Sequence, residues 1–462
     1  MKLSNRHAVL GRTALSAAVI LAGTMAMADP FETLGQFDGR IGASGPDRGP
    51  IAAGTEAQIS GSGFASDQPV TLRQSGENLT DEPLTTDAEG NLSTTVAIPE
   101  RAEPGLYPVV VEMGGDAPHA TIFDLKVVKV LGEIGADQYD VNSATTVRNP
   151  YQVAVTDEAI YVTGAVGRPP VSESALAKLD PATLEVLAEV SPPDAPARED
   201  GSDGGVFAVY GVGVAEEVGQ VWVTNTRQNT VAVYATEDLS LIKQFEPGVV
   251  GHPRDAVAHD GKVYVSATFE PLVHVFDTET LEELEPIELA SSRRGQVFTA
   301  ASLSLAAEAG KLFVSSLRTD EVAVIDLATD TQSGGFTVEN SVDTIGLAAN
   351  SAGTRLYTVA QGNDAVTIID ARTGETVNQV NVGANPLNAA VEPTSGNVFI
   401  ALREVDAVAV ISPEGEVLAN LQIGSTPNHL AVDGSGGVYV VNKSGGEDDP
   451  TANQVSHITP VN

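Results

Sequence analysis

The chain repeats one pattern of alternating apolar and polar residues several times between residues 150 and 462. Four copies begin at Val221, Lys262, Lys311 and Arg355, and they read VWVTNTRQNTVAVYATEDLSLIKQF, KVYVSATFEPLVHVFDTETLEELEPI, KLFVSSLRTDEVAVIDLATDTQSGGF and RLYTVAQGNDAVTIIDARTGETVNQV. Period-two alternation in short runs that are separated by turn residues predicts short β-strands. Because one such unit cannot bury its apolar faces alone, the units must stack against each other. This requirement constrains the fold more than any other feature of the sequence.

Each repeat contains an aromatic residue within its first apolar run, and seven such anchors are present. Successive anchors are separated by 61, 42, 49, 44, 42 and 40 residues. A period of roughly 40 to 45 residues with four short strands per unit is typical of a β-propeller. We therefore predict a seven-bladed β-propeller over residues 130–462. The anchors are Tyr161, Trp222, Tyr264, Phe313, Tyr357, Phe399 and Tyr439.

The last repeat ends at QVSHITPVN, with no residues left for an outer strand. A ring whose first and last repeats did not pair would leave strand edges exposed. We predict that KVVKVLGEI (126–134), which lies just before the first repeat, supplies the missing strand and closes the ring.

Residues 41–129 predict a second, smaller β domain. Its core segments AQISGSGF, PVTLRQ, GNLSTTVAIP, GLYPVVVEMG and HATIFDLKVVK alternate apolar and polar residues between Gly, Pro, Asn and Asp turns. Alternation with a turn about every 8 to 12 residues is typical of an immunoglobulin-like β-sandwich. The whole chain is therefore predicted to be all-β, with the sandwich preceding the propeller and acting as a spacer or a docking surface.

The repeats resemble the YVTN-family propellers and, within that family, the YncE-like periplasmic proteins. The segments VYVSATFEPLVHVFDTETLEELEPI and VFIALREVDAVAVISPEGEVLANLQIGSTPNHLAV carry this resemblance, which covers the chain from residue 130 onward. In the first domain, SGSGF and TTDAEGNLSTTVAIP resemble bacterial immunoglobulin-like modules of exported proteins.

The family resemblance implies the fold more strongly than the function. Members of the family resemble surface-layer proteins, proteins of metal-uptake loci, lactonases and the d1 domain of a nitrite reductase, and a nucleic-acid-binding role has been proposed for YncE-like members. One fold supports all of these functions, so the function must be argued from the residues of a site.

The first 28 residues have the features of a secretory signal. A basic start is followed by an apolar run over 14–23 and by the small-residue sequence AMA, which ends at Ala28. The apolar run is shorter than the roughly 20 residues that span a bilayer. We therefore expect cleavage after Ala28, a linker over 29–40, and a periplasmic protein that does not insert into a membrane.

The composition excludes several classes of partner. Without Lys2, Arg6 and Arg12, the 25 Lys and Arg residues fall to 22 against 62 Asp and Glu residues, which gives a formal charge of −40. A field of this sign repels nucleic acid and anionic lipid, and no segment of the sequence concentrates enough Lys or Arg to reverse it. The absence of cysteine excludes disulfides and the attachment of a c-type haem, so the nitrite-reductase resemblance cannot carry electron transfer.

The propeller topology places the long insertions on one face. In a four-stranded blade, the turn between the second and third strands and the connection to the next blade leave from the same end. The insertions 164–175, 191–205, 290–298 and 443–453 all fall in these positions. Since long loops on a rigid scaffold are common binding sites, we predict that this face contacts an unknown protein or small-molecule partner, with the protein itself a monomer.

The inner strands are predicted to start at the same end. Four of them open with proline, in NPYQVAV, HPRDAVA, NPLNAAV and TPNHLAV, and alignment of all seven gives a third position that is polar in every blade except one. Such a ring could hold a small polar ligand, although a water-filled channel also tolerates polar residues. The third-position residues are Gln152, Gly211, Asp255, Ser302, Thr344, Asn388 and His429, and Tyr151, Tyr210, Arg254 and Asn428 are their neighbours.

Metal chemistry has little support in the sequence, and no cofactor is predicted. His252 and His259 lie at opposite ends of one predicted strand, roughly 20 Å apart, and His274 lies on another strand. The acidic run Glu447-Asp448-Asp449 lacks the alternating spacing of a calcium loop, so it is at most a weak calcium site and is otherwise a solvated loop.

Three functions follow from these observations. The first is an exported, non-catalytic binding or scaffold protein that presents one looped propeller face to a partner; a link to metal or siderophore uptake is implied by the resemblance alone. The second is a hydrolase or lyase of the lactonase type, for which Asp255 and His429 at the channel mouth are the best candidates. The third, nucleic-acid binding, is opposed by the charge. No G-x-S-x-G elbow is present, which favours the first reading.

Overall fold

A computed structural model describes residues 37–461, apart from Ala117, Glu199, Ser444, Gly445 and Glu447. The predicted signal segment and most of the predicted linker over 29–40 lie outside the described residues. The described chain is rich in β-strands, with only single-turn 3-10 segments besides them. These segments are Pro46–Arg48, Ala136–Gln138, Glu216–Val218, Thr226–Gln228 and Ala307–Ala309.

The first nine strands form two sheets that face each other. One sheet has the order β1-β3-β7, the other has the order β2-β9-β8-β4-β5, and β6 pairs with β4. Alternate residues such as Ile59 and Leu72 point between the sheets and are fully buried, as period-two patterning requires. The strands are β1 (Arg40–Ser44), β2 (Ile51–Ala52), β3 (Glu56–Ser62), β4 (Pro69–Gln74), β5 (Glu77–Asn78), β6 (Leu84–Thr85), β7 (Asn91–Ala97), β8 (Gly105–Met113) and β9 (His119–Val128).

The remaining strands form antiparallel sheets of four strands each, which we number 1 to 7 in chain order. The strand before them is β10 (Tyr139–Thr145). Sheets 1 to 3 contain β11 (Pro150–Val155), β12 (Ile160–Val166), β13 (Glu173–Leu179), β14 (Val186–Val190); β15 (Val212–Ala215), β16 (Gln220–Asn225), β17 (Thr230–Ala235), β18 (Leu241–Gln244); and β19 (Pro253–His259), β20 (Lys262–Ala267), β21 (Leu272–Asp277), β22 (Ile287–Glu288).

Sheets 4 to 6 contain β23 (Ala300–Ala306), β24 (Lys311–Ser316), β25 (Glu321–Asp326), β26 (Thr331–Thr337); β27 (Thr344–Ala349), β28 (Arg355–Ala360), β29 (Ala365–Asp370), β30 (Thr376–Asn381); and β31 (Pro386–Val391), β32 (Val398–Leu402), β33 (Ala407–Ile411), β34 (Val417–Gln422). Sheet 7 contains β35 (Pro427–Val432), β36 (Val438–Asn442), β37 (Gln454–Pro460) and β10.

The first strand of each sheet is the inner strand of a ring. Each inner strand contacts the inner strand of the next sheet, and β35 contacts β11, which closes the circle. This arrangement of four-stranded sheets is that of a β-propeller. The aromatic anchors all lie on the second strand of a sheet and are buried between neighbouring sheets. Trp222, for example, packs against Phe245 and Phe276, with ring centroids 5.8 and 5.4 Å away.

The ring is closed by a strand from the start of the repeat region, although not by the one that we expected. β10 pairs antiparallel with β37, from Tyr139 opposite Pro460 to Thr145 opposite Gln454. The expectation for 126–134 was wrong, because Val127 and Val128 belong to β9 of the sandwich. Both segments contain apolar residues that suit a strand, and the pairing partners distinguish them.

The sandwich contacts the ring at sheet 5. Lys126 of β9 donates from Nζ to Asp364 Oδ1 (2.9 Å) and to the backbone oxygen of Gln361 (3.2 Å). The segment between the two domains also crosses sheet 6, where Ile134 pairs with Asn420 of β34. Asp364 ends the turn between the second and third strands, so the sandwich contacts the end of the ring that carries the long insertions. We call this end the looped face.

Candidate binding site at the channel mouth

The inner strands surround a central channel with a cavity of about 470 Å³. Valine, leucine and alanine side chains line most of it, and polar side chains from the third position of the inner strands line the part towards the looped face. The structure brings together the predicted residues Gln152, Asp255, Asn388 and His429 in this lining. Ser302 is also buried at its strand position, and its hydroxyl oxygen has no hydrogen-bond partner.

Four of these polar side chains join neighbouring sheets. Each accepts a hydrogen bond from the backbone N–H at the fourth position of the next inner strand, which would otherwise lie buried without a partner. The bonds run from Val212 N–H to Gln152 Oε1 (3.1 Å), from Leu303 N–H to Asp255 Oδ2 (3.1 Å), from Leu430 N–H to Asn388 Oδ1 (2.8 Å) and from Val153 N–H to His429 Nδ1 (3.4 Å). The polar ring therefore has a structural role.

Asp255 is the most heavily bonded member of the ring. Gln152 Nε2 donates to its Oδ1 at 2.7 Å, so the two residues connect sheets 1 and 3 across the channel. Arg254 Nε lies 3.7 Å from the same oxygen. With Leu303 N–H on its second oxygen, this carboxylate has partners on both oxygens, as a buried charge requires.

His429 is neutral at pH 7. Removal from water lowers its pKa to about 4; Asp255 acts in the opposite direction, and Arg254 adds to the lowering. Because Nδ1 accepts the bond from Val153, the hydrogen-bond network assigns the proton to Nε2. Asp255 interacts with His429 through space, but no hydrogen bond joins the two residues that we considered as a catalytic pair.

Thr344 does not occupy the third position. The register pairs Thr344 with Ala360 and Gly346 with Val359, which matches Pro386 and Asn388 in the next sheet. Gly346 is therefore the ring residue of sheet 5, and Thr344 stands where other strands have proline. A Cβ at position 346 would lie 2.6 Å from the backbone oxygen of Leu387, which explains the glycine. Gly211 has the same constraint, with 2.0 Å to the backbone oxygen of Arg254.

The predicted neighbours of the ring lie at the mouth of the channel. Tyr151 and Tyr210 form an edge-to-face pair with ring centroids 4.9 Å apart. Asn428 donates from Nδ2 to the backbone oxygen of Tyr151 at 2.6 Å. Tyr210 and Asn428 are buried and Tyr151 is half-buried, so part of the Tyr151 side chain reaches solvent.

Three cations at the mouth were missed by the sequence analysis. Lys443 Nζ lies 4.5 Å from the centre of the Tyr151 ring, and the Arg227 guanidinium lies 5.9 Å from that of Tyr210. Burial, together with the nearby charges of Arg403 and Arg227, lowers the pKa of Lys443 to about 8. All three lie in turns between second and third strands: Arg403 and Lys443 directly follow the second strand, and Arg227 is the second residue after it. Their positions near the start of these turns were visible in the repeats, but their proximity depends on ring closure.

A second repeated feature of the looped face also escaped prediction. In five sheets, the turn before the third strand ends in an Asp or Asn with φ between 48° and 60°, a conformation that these two residues tolerate. Its side chain accepts a backbone N–H from the connection that enters the next sheet. The pairs are Asn229 with His252, Asp320 with Thr344, Asp364 with Asn385, Asp406 with Thr426 and Asn453 with Asn149, at 2.8–2.9 Å.

These turn residues are visible in the sequence as an Asp or Asn just before five of the third strands, as in QNTVAVY and VDAVAVI. They explain why several acidic residues of the looped face are structural and are not free to hold a metal ion. Among the described residues, no group of three or more His, Cys, Asp or Glu side chains is arranged to do so. Of the weak calcium candidates, Glu447 lies outside the described residues, Asp448 is exposed, and Asp449 bonds Ser425 and Thr451.

Comparison with known proteins supports the fold. No family model matches the chain, and no curated protein matches it. Among solved structures, a catalytically inactive histidine-to-alanine variant of virginiamycin B lyase from Staphylococcus aureus, solved with quinupristin, is similar at a TM-score of 0.55 and 12% identity, over 70% of this chain and 100% of that one.

Two further solved structures are similar to about the same extent. U3-55K aligns at a TM-score of 0.54 and 12% identity, over 71% of this chain and 100% of that one. The Cps50 (Swd1) β-propeller domain of Myceliophteria thermophila aligns at 0.53 and 9%, over 70% and 100%. At these identities the likeness shows a β-propeller, and the resemblance to the YVTN family stays a prediction.

No described helix is long and apolar enough to cross a membrane.

Proposed function

We propose that this chain is an exported, non-catalytic binding protein that presents the looped face of a seven-bladed propeller to a ligand, with an immunoglobulin-like sandwich as spacer. One observation carries the proposal. Four polar side chains that line the channel accept backbone N–H groups of neighbouring sheets, whereas Lys443, Arg227 and Arg403 at the mouth form no ion pair with any carboxylate that the structure describes. The channel side chains already have hydrogen-bond partners within the fold, whereas the cations at the mouth are available to a partner.

The surroundings of the mouth favour binding. The insertion 191–205 forms a cavity with Arg227 and Gln228 of sheet 2, so a long loop reaches the cationic side of the mouth. The sandwich contacts the same face through Lys126 and Asp364, which places it beside a docked partner. Export to the periplasm, which rests on the predicted signal segment, and a link to metal or siderophore uptake, which rests on the family resemblance, belong to this proposal as expectations.

The alternative is a hydrolase or lyase that acts in the channel, and one observation favours it: His429 lines the cavity, and a similar propeller is a lyase whose histidine-to-alanine variant is inactive. Against it, His429 Nδ1 is used by Val153, and a pKa of about 4 makes the ring a weak base. A lactone-hydrolysis or lyase assay of the mature protein that found turnover lost in His429→Asn would establish the enzyme and overturn the binding proposal.

Native mass spectrometry of the protein purified from its own cells, with metal analysis of the same sample, tests the proposal directly. We expect a retained small molecule or partner protein that is lost when the insertion 191–205 is shortened. A bare protein that captures no partner after crosslinking in cells would contradict a binding role.

A further inference from the structure

Cations concentrate at the mouth of a strongly acidic protein. The chain carries a formal charge of −37, yet Arg227, Arg254, Arg403 and Lys443 gather on one arc of the channel mouth, from sheet 6 through sheets 7 and 2 to sheet 3. We call these four residues the cationic arc. Its members act on each other electrostatically: Arg403 and Arg227 both perturb Lys443, while Arg227 and Arg254 both perturb His252. Four positive charges that lie close together repel each other, which costs free energy. We therefore expect a negatively charged group to compensate this repulsion.

None of the carboxylates that the structure describes supplies that interaction for three of them. Among the ion pairs of the described residues, Arg254 is the one member of the arc that has a partner, Asp255 at 3.7 Å. Arg254 Nε is buried and makes no hydrogen bond. Several other cations of the described chain also lack an ion pair, so the distinguishing feature of the arc is that its cations lie near the same two tyrosines and act on one another.

Lys443 is the most informative member of the arc. It is partly buried, it lies over the face of Tyr151, and it has no ion pair, whereas a lysine on an open surface would extend into water. Burial and the neighbouring arginines both disfavour its charged form. A cation held in this way is an unfavourable arrangement for the empty protein and a favourable one for a bound anion.

We infer that the mouth binds a small oxyanion, a carboxylate or a phosphate, which bridges Lys443, Arg227 and Arg403 and rests against the Tyr151–Tyr210 pair. Arginine and lysine are the usual ligands of such groups, and the exposed tyrosine face suits an apolar portion of the same molecule. This inference rests on the proposed binding function and names the class of ligand.

The surrounding charge limits the size of the anion. Asp200 lies on the insertion beside Arg227, Glu404 follows Arg403, and Asp343 lies on the same face. Burial and the charge of Asp320 raise the pKa of Asp343, which indicates that these two carboxylates lie near each other on the looped face. A polyanion such as a nucleic acid would meet these carboxylates, whereas a small anion would contact the arc alone.

The experiment is isothermal titration of the mature full-length protein with sodium phosphate and, separately, with sodium citrate, each against sodium chloride at equal ionic strength. We expect saturable binding of one equivalent of one of these anions, and the anion that binds more tightly identifies phosphate or carboxylate as the preferred group. Lys443→Met and Arg403→Gln should each weaken binding about tenfold or more. Lys311→Met is the matched control, because Lys311 begins β24 at the opposite end of the ring, and it should bind as the unchanged protein does.

Three results would overturn the inference: no saturable binding of either anion, an equal response to chloride, or an equal loss in Lys311→Met. The last result would mean that diffuse charge and not a site is responsible. Circular dichroism of each variant shows that it is folded. Because a partner protein found by native mass spectrometry would survive the failure of the anion titration, failure of this inference is distinguishable from failure of the proposed function.

Discussion

The polar ring inside the channel and the cationic arc at its mouth lie at the same end of the propeller, yet they behave differently. Ring residues recur at one position in successive sheets, and four of them accept backbone N–H groups from the next sheet. The residues of the cationic arc do not follow the repeat from sheet to sheet, and three of them have no ion pair among the described residues. Polar residues that follow the repeat serve the fold, and polar residues that depart from it are the better candidates for function.

The substitution with the largest expected effect on stability is Asp255→Ala in the polar ring. The substitution leaves Gln152 Nε2 and Leu303 N–H without an acceptor and Arg254 without its partner, so it should lower the free energy of unfolding by about 3 to 5 kcal/mol. Urea denaturation measures the loss. Asp157→Ala, an exposed residue in a turn on the opposite face, should change stability by less than about 0.5 kcal/mol. Equal effects of the two substitutions would remove the structural role of the ring.

The second test is the pH dependence of stability. The pKa of His429 falls from 6.5 to about 4 on folding, so below pH 6.5 the unfolded chain binds a proton that the folded protein does not. Stability is complete above pH 6.5 and should decrease by about 2 to 3 kcal/mol as the pH falls to 4.

His429→Asn is the matched variant for this test, because Asn388 uses an amide oxygen in the same way in the neighbouring sheet. It should keep the bond to Val153 and flatten the stability profile between pH 4 and 6.5, as thermal melts at several pH values would show. An unchanged profile would assign the acid sensitivity to other groups, such as His457 and His252, whose pKa values burial also lowers.

The third test concerns the arc, where removal of a side chain should stabilise the protein, in contrast to Asp255→Ala in the ring. The pKa of Lys443 falls from 10.5 to about 8 on folding, so at pH 7 the charged form destabilises the folded protein, and stability should rise as the pH increases from 8 to 10.5. Lys443→Met should therefore raise stability at pH 7 by about 1 to 2 kcal/mol, measured by urea denaturation without added anions. A loss of stability would mean that Lys443 supports the fold as the ring residues do.

The smallest effect is expected at a repeated turn residue. Asp406 accepts the N–H of Thr426, as Asn229 and Asn453 do in equivalent turns. Asp406→Asn should therefore be nearly neutral, while Asp406→Ala should cost about 1 kcal/mol because it removes the acceptor and a residue that tolerates positive φ. Urea denaturation of the two variants compares them. Equal losses would indicate that the carboxylate charge matters, and not the bond.

Much of this fold was predictable from the sequence. The aromatic anchors and turn residues of the repeats predicted four-stranded sheets on a ring, because each apolar strand needs a neighbour on both sides. The alignment of Thr344 was wrong because a threonine stands where four other inner strands have the proline that indicates their start. The closing strand was misplaced because the sequence before the first repeat contains two apolar segments, and their pairing partners lie far away in the chain.

The site was less predictable for a physical reason. Arg227, Arg403 and Lys443 are far apart in the chain, and each is unremarkable among its sequence neighbours. Only closure of the ring brings them to one side of the mouth. The statement that no segment concentrates positive charge holds along the sequence and fails in space, because a ring gathers residues from every repeat.

The pairing of β10 with β37 has a consequence for how the protein is made. β10 cannot pair until β37 has been synthesised. Sheets 1 to 6 can therefore form before β37 exists, but sheet 7 cannot. Contacts between segments this distant form slowly. A chain without β37 would carry an unpaired β10 edge and an open gap beside sheet 1, which proteases and other chains could reach. Completion of the ring therefore depends on β37.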